Sequence, residues 1–219
     1  MWGTDITFGF QSAVDIATNA IDCIHTTAVS HRRVFIVEVM GHKVGWLTLY
    51  AGIAGGADLI LIPEIPYDID SVVSTIHKRT KAGKQFSILA VAEGAISKED
   101  SFLSKKQLKQ KYKNTTDPSV SYRLGREISL ATGQEVRITV PGHMQRGGEP
   151  CAFDRVLSTR LGIAAANLIL EERYGYMVGV KGNQIVPVPL EQVAGKLKMV
   201  DPDSEMIKDI KRLGISFGD

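Results

Sequence analysis

"VFIVEVMGHKVGWLTLYAGIAGGADLILIP", residues 34–63, decides the fold. Its opening run, 34–40, is β-branched or apolar apart from Glu38, and Gly41 stops it, so it reads as a strand. Residues 44–54 read as a helix and "LILIP", 59–63, as a second short apolar strand. Strands that are apolar on both faces must be covered on both faces, and a strand–helix–strand unit joins parallel neighbours.

The same alternation continues outward. Upstream, Ala13, Ala17, Ala20, Ile21 and Ile24 make one apolar stripe at helical spacing over 11–26. Downstream, 68–82 is amphipathic with Val72 and Ile76 in register, "FSILAVAEG" (86–94) is a third strand, 122–131 a helix and "EVRITVPG" (135–142) a fourth strand. The expected fold is α/β, a Rossmann-like three-layer parallel sheet. A second block follows: a long helix over 151–174, two strands around the "GN" turn in "MVGVKGNQIVPVPL", and a short helix over 191–198. The lysine-rich "SKEDSFLSKKQLKQKYKNTTDPS" lacks an apolar period and reads as a solvated excursion, with a phosphate-attracting lid as the lesser reading.

Bulk properties narrow the function. The 219 residues are 44% hydrophobic and 23% charged, an ordinary globular composition with room for a core. A formal charge of +2 argues against nucleic acid or an anionic membrane as partner. The two cysteines, Cys23 and Cys151, exclude a disulfide framework and a cysteine-rich zinc site, and fit reduced thiols in the cytoplasm. The most apolar stretch, 45–63, is broken by Gly55, Gly56 and Asp58 and cannot span a bilayer. The chain contains no GxxxxGK[ST], HExxH or GxSxG, which disfavours P-loop, zincin and α/β-hydrolase chemistry.

Ligands of parallel α/β sheets bind beyond the carboxyl ends of the strands. There the sequence places Met40-Gly41-His42, Pro63-Glu64, Glu93-Gly94 and "GHMQRGG" (142–148), with Arg137 inside the fourth strand and Arg32-Arg33 before the first. One sheet edge is therefore expected to gather Arg33, Arg137, His143 and Arg146 with Glu93. Guanidinium groups match phosphate oxygens in bidentate fashion, and a carboxylate among them accepts from sugar hydroxyls. A helix beginning near Glu149 and Pro150 would aim its positive end at the same region. The pattern is that of a sugar-phosphate pocket, although each residue taken singly also fits a surface ion pair or a structural histidine.

The blocks "GTDITFGF", "SHRRVFIVEVMG", "GIAGGADLILIPE", "VAEG", "GHMQRGG" and "FDRVLSTRLG" together resemble the 6-phosphofructokinase family over residues 3–200. The resemblance implies a phosphofructokinase-type fold, truncated, and transfer of a phosphoryl group to the 6-hydroxyl of fructose 6-phosphate from ATP or pyrophosphate, with Mg²⁺. It implies that Arg137, His143 and Arg146 hold the sugar phosphate and that Glu93, Met40 and Gly41 hold the sugar. Arg33 would reach in from a neighbouring subunit of a homo-oligomer, a dimer or tetramer. Residues 1–142 would then be the fructose 6-phosphate-binding lobe and 143–219 a returning segment of the donor-binding lobe.

Two departures from the family pattern set further expectations. The Gly-rich donor loop (GGDxxGxN-type) and the TIDND-type motif with the catalytic aspartate are not in this sequence and would lie upstream of Gly3. The isolated chain is therefore expected to keep sugar-phosphate contacts without activity, and its uncovered apolar faces to favour association. Where many members carry arginine after the Met-Gly of the first strand, His42 stands here, so a transition-state role does not transfer to it. Asp58 and Lys84 fall near effector-binding positions of bacterial ATP-using relatives, but His25 and Ala82 replace residues usually basic there, and no effector site is assigned. The lysine-rich excursion leans toward the longer branches, which include pyrophosphate users. Two rival readings are a non-catalytic sugar-phosphate-binding or regulatory subunit, and an isomerase-like enzyme whose base would be Glu93 or His143.

Overall fold

The computed structural model describes residues 1–28, 33–113 and 115–219. Arg32, which the sequence placed beside Arg33, lies outside the described residues. In chain order the elements are α1 (Phe10–Ala28), β1 (Val34–Val39), α2 (Trp46–Ala54), β2 (Leu59–Leu61), α3 (Ile69–Lys81), β3 (Ser87–Ala92), α4 (Lys98–Ser101), α5 (Lys105–Lys111), α6 (Val120–Thr132) and β4 (Val136–Thr139). A 3₁₀ turn (Gly142–Arg146), α7 (Ala152–Leu170), β5 (Tyr176–Lys181), β6 (Gln184–Pro189), α8 (Leu190–Val193) and α9 (Glu205–Arg212) follow.

The chain divides into two compact units. Ile16–Gln145 and Met199–Asp219 form the α/β unit, and Met1–Asp15 with Arg146–Lys198 form the other. This division differs from the expected break at residue 142. Both termini change sides, because the contacts that hold them are made with residues more than a hundred positions away.

In the α/β unit β2, β3, β1 and β4 lie side by side in that order, all parallel. Successive side chains of a strand point to opposite faces, and β1 divides that way. Phe35, Val37 and Val39 pack with Ala17 and Ile21 of α1, Leu49 of α2, Ile207 of α9, and Phe217. Val34 and Ile36 pack with Val72 and Ile76 of α3 and with Leu124 and Ile128 of α6. Helices thus cover both faces of a Rossmann-like parallel sheet, as the doubly apolar strands require. α3 is started by Asp68, whose carboxylate accepts the Asp70 N–H at 2.9 Å, and α6 is stopped by Gly133 in the left-handed conformation (φ 68°). α9 is a helix that the sequence pattern did not signal. It buries Ile207 and Ile210, and Ser216 just beyond it bridges to Leu59 of β2.

The other unit is built on the β5–β6 hairpin, antiparallel, with Lys181 paired to Gln184 across the Gly182-Asn183 turn (Gly182 φ 56°). Leu157 and Leu161 of α7 pack against Val178, Val180 and Ile185 of the hairpin and against Ile6. The amino-terminal residues join it through one backbone and one side-chain bond: Asp5 N–H donates to the Val180 carbonyl at 2.8 Å, and Val180 N–H to the Thr4 hydroxyl at 2.8 Å. Asp154, buried in α7, accepts the Ser12 backbone N–H at 2.8 Å and the Ser12 hydroxyl at 2.6 Å, so one helix supplies the cap for the first turn of another.

Candidate functional site

Three loops leave the carboxyl ends of the adjacent strands β3, β1 and β4. Met40-Gly41-His42 follows β1, Glu93-Gly94 follows β3 and His143 stands in the 3₁₀ turn that follows β4. The first two are pressed together. The Glu93 N–H donates to the Val39 carbonyl at 2.9 Å, prolonging the β1–β3 ladder by one bond. A Cβ on Gly94 would stand 2.1 Å from the His42 carbonyl oxygen and 2.9 Å from that of Gly41. Only glycine permits that approach, because the obstacle is backbone rather than a side chain that can swing away.

The β1 and β4 loops are joined by a side chain. Gln145, 2% exposed, accepts the Met40 N–H on Oε1 at 3.1 Å and donates from Nε2 to the Gly142 carbonyl at 3.2 Å. Glu93 and His143 are exposed, while Met40 and Gly41 are half-buried. An exposed carboxylate, an exposed imidazole and half-buried backbone on three neighbouring strand ends present hydrogen-bonding groups of both polarities to a small polar ligand.

Arg33 and Arg137 are not at this end. Arg33 immediately precedes β1, and Arg137, second in β4, pairs with Phe35, second in β1, so both belong to the amino edge of the sheet. Five residues of extended chain separate Phe35 from Met40, about 16 Å along the strand. The single edge expected to gather four basic residues and Glu93 is therefore not formed within one chain. At the amino edge the two arginines share Glu135, with Arg33 Nε 2.5 Å from Oε2 and Arg137 on Oε1. Arg146 closes the 3₁₀ turn, is exposed, and counts with the other unit. So does α7, which begins at Ala152, and the Cys151 N–H at its start is engaged by the Ser12 hydroxyl at 3.0 Å.

The neighbouring loops are fixed by buried and half-buried carboxylates. Glu64, after β2, sets both carboxylate oxygens 3.0 Å from the Gly45 N–H at the start of α2 and accepts the Val200 N–H at 3.0 Å. The carboxylate stands where a capping side chain would, and its charge suits the helix N-terminus. The lysine-rich excursion, expected to be solvated, carries a buried anchor. Asp100, 1% exposed, accepts from Lys111 Nζ at 2.6 Å and from the Tyr112 hydroxyl at 2.5 Å, with Arg123 Nη2 at 3.8 Å. Burial alone would raise the Asp100 pKa, but the Lys111 and Tyr112 hydrogen bonds outweigh it and hold the carboxyl below its ordinary range. Further along, the Ser119 hydroxyl donates to buried Glu38 of β1 at 2.5 Å. With both ends pinned, the excursion is not a free lid.

Asp58, at the amino edge before β2, is engaged as well: it pairs with Arg79 at 2.7 Å and accepts the Ile88 N–H at 2.8 Å. Its pKa is raised by burial, against the pull of those partners. Among the described residues no group of three His, Cys, Asp or Glu side chains could hold a metal ion. No helix among them is long and apolar enough to cross a membrane.

Gln145, inside "GHMQRGG", and Gly94 and Glu135, at strand ends, stand in the sequence motifs without an expected role. A glutamine between Met144 and Arg146, both exposed, carries no local sign that it is buried. The pairing of Glu135 with Arg137 was open to such a reading, because side chains two apart in extended chain share a face.

Comparison with known proteins bears on the family and the fold. The family model described as Phosphofructokinase matches residues 1–169. An ATP-dependent 6-phosphofructokinase of Spirochaeta thermophila is 53% identical over all of this chain, and ATP-dependent 6-phosphofructokinase 3 of Bacteroides thetaiotaomicron is 49% identical. The chain spans 60% of the length of each of these curated relatives. The solved phosphofructokinase of Saccharomyces cerevisiae matches 88% of this chain and 24% of its own, with 38% identity and a TM-score of 0.73. On the family model, the curated relatives and the fold together, the chain belongs to the phosphofructokinase family.

Proposed function

We propose that this chain is the fructose 6-phosphate-binding part of a 6-phosphofructokinase, a cytoplasmic enzyme of glycolysis that phosphorylates the sugar's 6-hydroxyl. The observation that carries the reading is the convergence of the Met40–His42, Glu93–Gly94 and 142–145 loops on three adjacent strand ends, locked by the Gly94 approach and by Gln145. Glu93 accepts from the sugar hydroxyls, the Met40–Gly41 backbone flanks the ring, and His143 meets the phosphate. Arg146 is assigned to the phosphate on the family resemblance alone.

Arg33 and Arg137 enter only from another copy. Their place at the amino edge supports a homo-oligomer, dimer or tetramer, in which this pair serves the phosphate of a neighbour's sugar. ATP is the proposed donor rather than pyrophosphate, supported by the names of the two curated relatives; Mg²⁺ would come with it, and the chemistry it supplies is neutralisation of phosphoryl charge. The residues here bind and orient the acceptor. The donor loop and aspartate motifs of the family are not among these 219 residues, so the chain is expected to bind without turnover.

Calorimetric titration of the 219-residue chain tests the reading. Saturable binding of fructose 6-phosphate, with no heat from glucose at the same concentration, is the expected result. Equal response to both sugars, or to neither, removes it. Turnover with ATP by the same preparation would overturn the expectation of an inactive chain.

A further inference from the structure

The β1–β4 ladder ends at the pair Val37–Thr139, well before the loops that make the site. Beyond that pair, Met40 and the 142–145 turn are linked through one side chain, whose Oε1 takes the Met40 N–H and whose Nε2 faces the Gly142 carbonyl. We infer that Gln145 is a positioning residue for the sugar-phosphate site, setting the distance between the Met40–Gly41 backbone and His143. This inference rests on the functional reading above.

The chemistry of the bridge specifies an amide. Both of its partners are backbone groups and point in opposite senses, one donor and one acceptor, at the reach of a single side chain 2% exposed to solvent. Glutamine satisfies both. A carboxylate keeps the bond to Met40 but sets an oxygen against the Gly142 oxygen. Methionine has the length and shape yet leaves the half-buried Met40 N–H and Gly142 C=O without this partner, and the two loops then have no reason to keep their spacing. Gly142 itself turns the chain with φ 54°, a conformation open to drift once its carbonyl is released. A site must be held to fractions of an ångström by supporting groups of this kind.

The test compares the wild-type chain with Gln145→Met and Gln145→Glu by hydrogen exchange at the Met40 amide and by calorimetry with fructose 6-phosphate. In Gln145→Met, exchange at Met40 is expected to rise and sugar-phosphate affinity to fall, each about tenfold. In Gln145→Glu the affinity relative to wild type is expected to be low at pH 8 and to recover toward pH 5, where a protonated carboxyl again donates to Gly142. Dividing by the wild-type value at each pH sets aside pH effects common to both proteins, including those of the ligand phosphate and of the nearby charged or ionisable groups His42, Glu93 and His143. Met40 exchange and affinity both within twofold of wild type in Gln145→Met would overturn the inference. So would a Gln145→Glu ratio that does not change with pH, an arm that holds even if the methionine variant fails to fold. A wild-type chain that ignores fructose 6-phosphate sinks the functional reading instead, while Met40 exchange still reports whether the bridge exists.

Discussion

Arg33 Nε lies 2.5 Å from Glu135 Oε2, and the other oxygen of that carboxylate holds Arg137, so the two cations form a fixed pair on the amino edge of the sheet. Glu93 leaves the opposite edge. In a monomer, then, Arg137→Ala is expected to leave fructose 6-phosphate affinity within about twofold. The pair is partly exposed, and such pairs contribute little, so stability should change by no more than about 1 kcal/mol. Affinity measured at concentrations where light scattering reports monomer, then at concentrations where it reports oligomer, separates the cases: the loss should appear only in the oligomer. A tenfold loss in the monomer would place Arg137 in its own chain's site.

Asp100 yields a prediction with a definite sign. Its carboxyl is held below the ordinary range by Lys111 and Tyr112, which overcome the opposing effect of burial. A depressed folded-state pKa contributes stability above the unfolded value, near 4, and loses it as pH falls through the folded value. Asp100→Asn is expected to cost about 2–4 kcal/mol at pH 7, since Lys111 and Arg123 lose the buried anion between them. It should cost less in strong acid. Urea unfolding at pH 7 and pH 3 with an unchanged m-value checks both, and equal losses at the two pH values would refute the assignment.

The layered sheet was legible because its strands announce themselves. "VFIVEV" and "SILAVA" are buried at every position, and only a sheet covered on both faces accepts such runs. Helix α3 was equally plain from Val72 and Ile76. The partition of the chain was not. Thr4 and Asp5 are held by Val180, and α9 packs on the sheet face from the far end of the sequence, pairings that leave no local pattern. The candidate site was half legible. Residues after a strand were placed at its carboxyl end, which is where Met40, Gly41, Glu93 and His143 lie. The expectation that Arg33 and Arg137 share that edge within one chain rested on their charge and closeness to strands, although a residue at the start of a parallel strand must fall at the other edge.

Gly94 should be intolerant of even a methyl group. The His42 carbonyl stands 2.1 Å from where a Cβ would be, so Gly94→Ala must push the Glu93 and Met40–His42 loops apart. Overpacking of this kind costs about 1–3 kcal/mol. Because the displaced backbone belongs to the site, sugar-phosphate affinity is expected to fall by about tenfold or more at temperatures where the variant is folded. Gly133→Ala is the control: its Cβ meets nothing within 4 Å, and the penalty there is the left-handed backbone alone. Stability lost in both variants with affinity lost only in Gly94→Ala confirms the local cause, whereas unchanged affinity in Gly94→Ala would show that the loop spacing does not matter.

Tyr67 gives the alkaline counterpart of Asp100. Its ring is 1% exposed, between β2 and α3, and burial pushes the phenol up to about 12 against the pull of neighbouring Arg123. A raised folded-state pKa means that the stabilising contribution is complete below the unfolded value, about 10, and is lost as pH climbs through the folded one. Over that window the loss approaches about 3 kcal/mol. Lysines titrate there too, so the comparison that isolates the phenol is with Tyr67→Phe. Urea unfolding at pH 9, 10 and 11 should show wild-type stability falling more steeply than that of the variant. Absorbance at 295 nm should report one tyrosine ionising only as the protein unfolds. Parallel slopes for the two proteins would mean that the hydroxyl reaches water in the folded state, and the packing of α3 and α6 over β2 and β3 would then be looser than the structure shows.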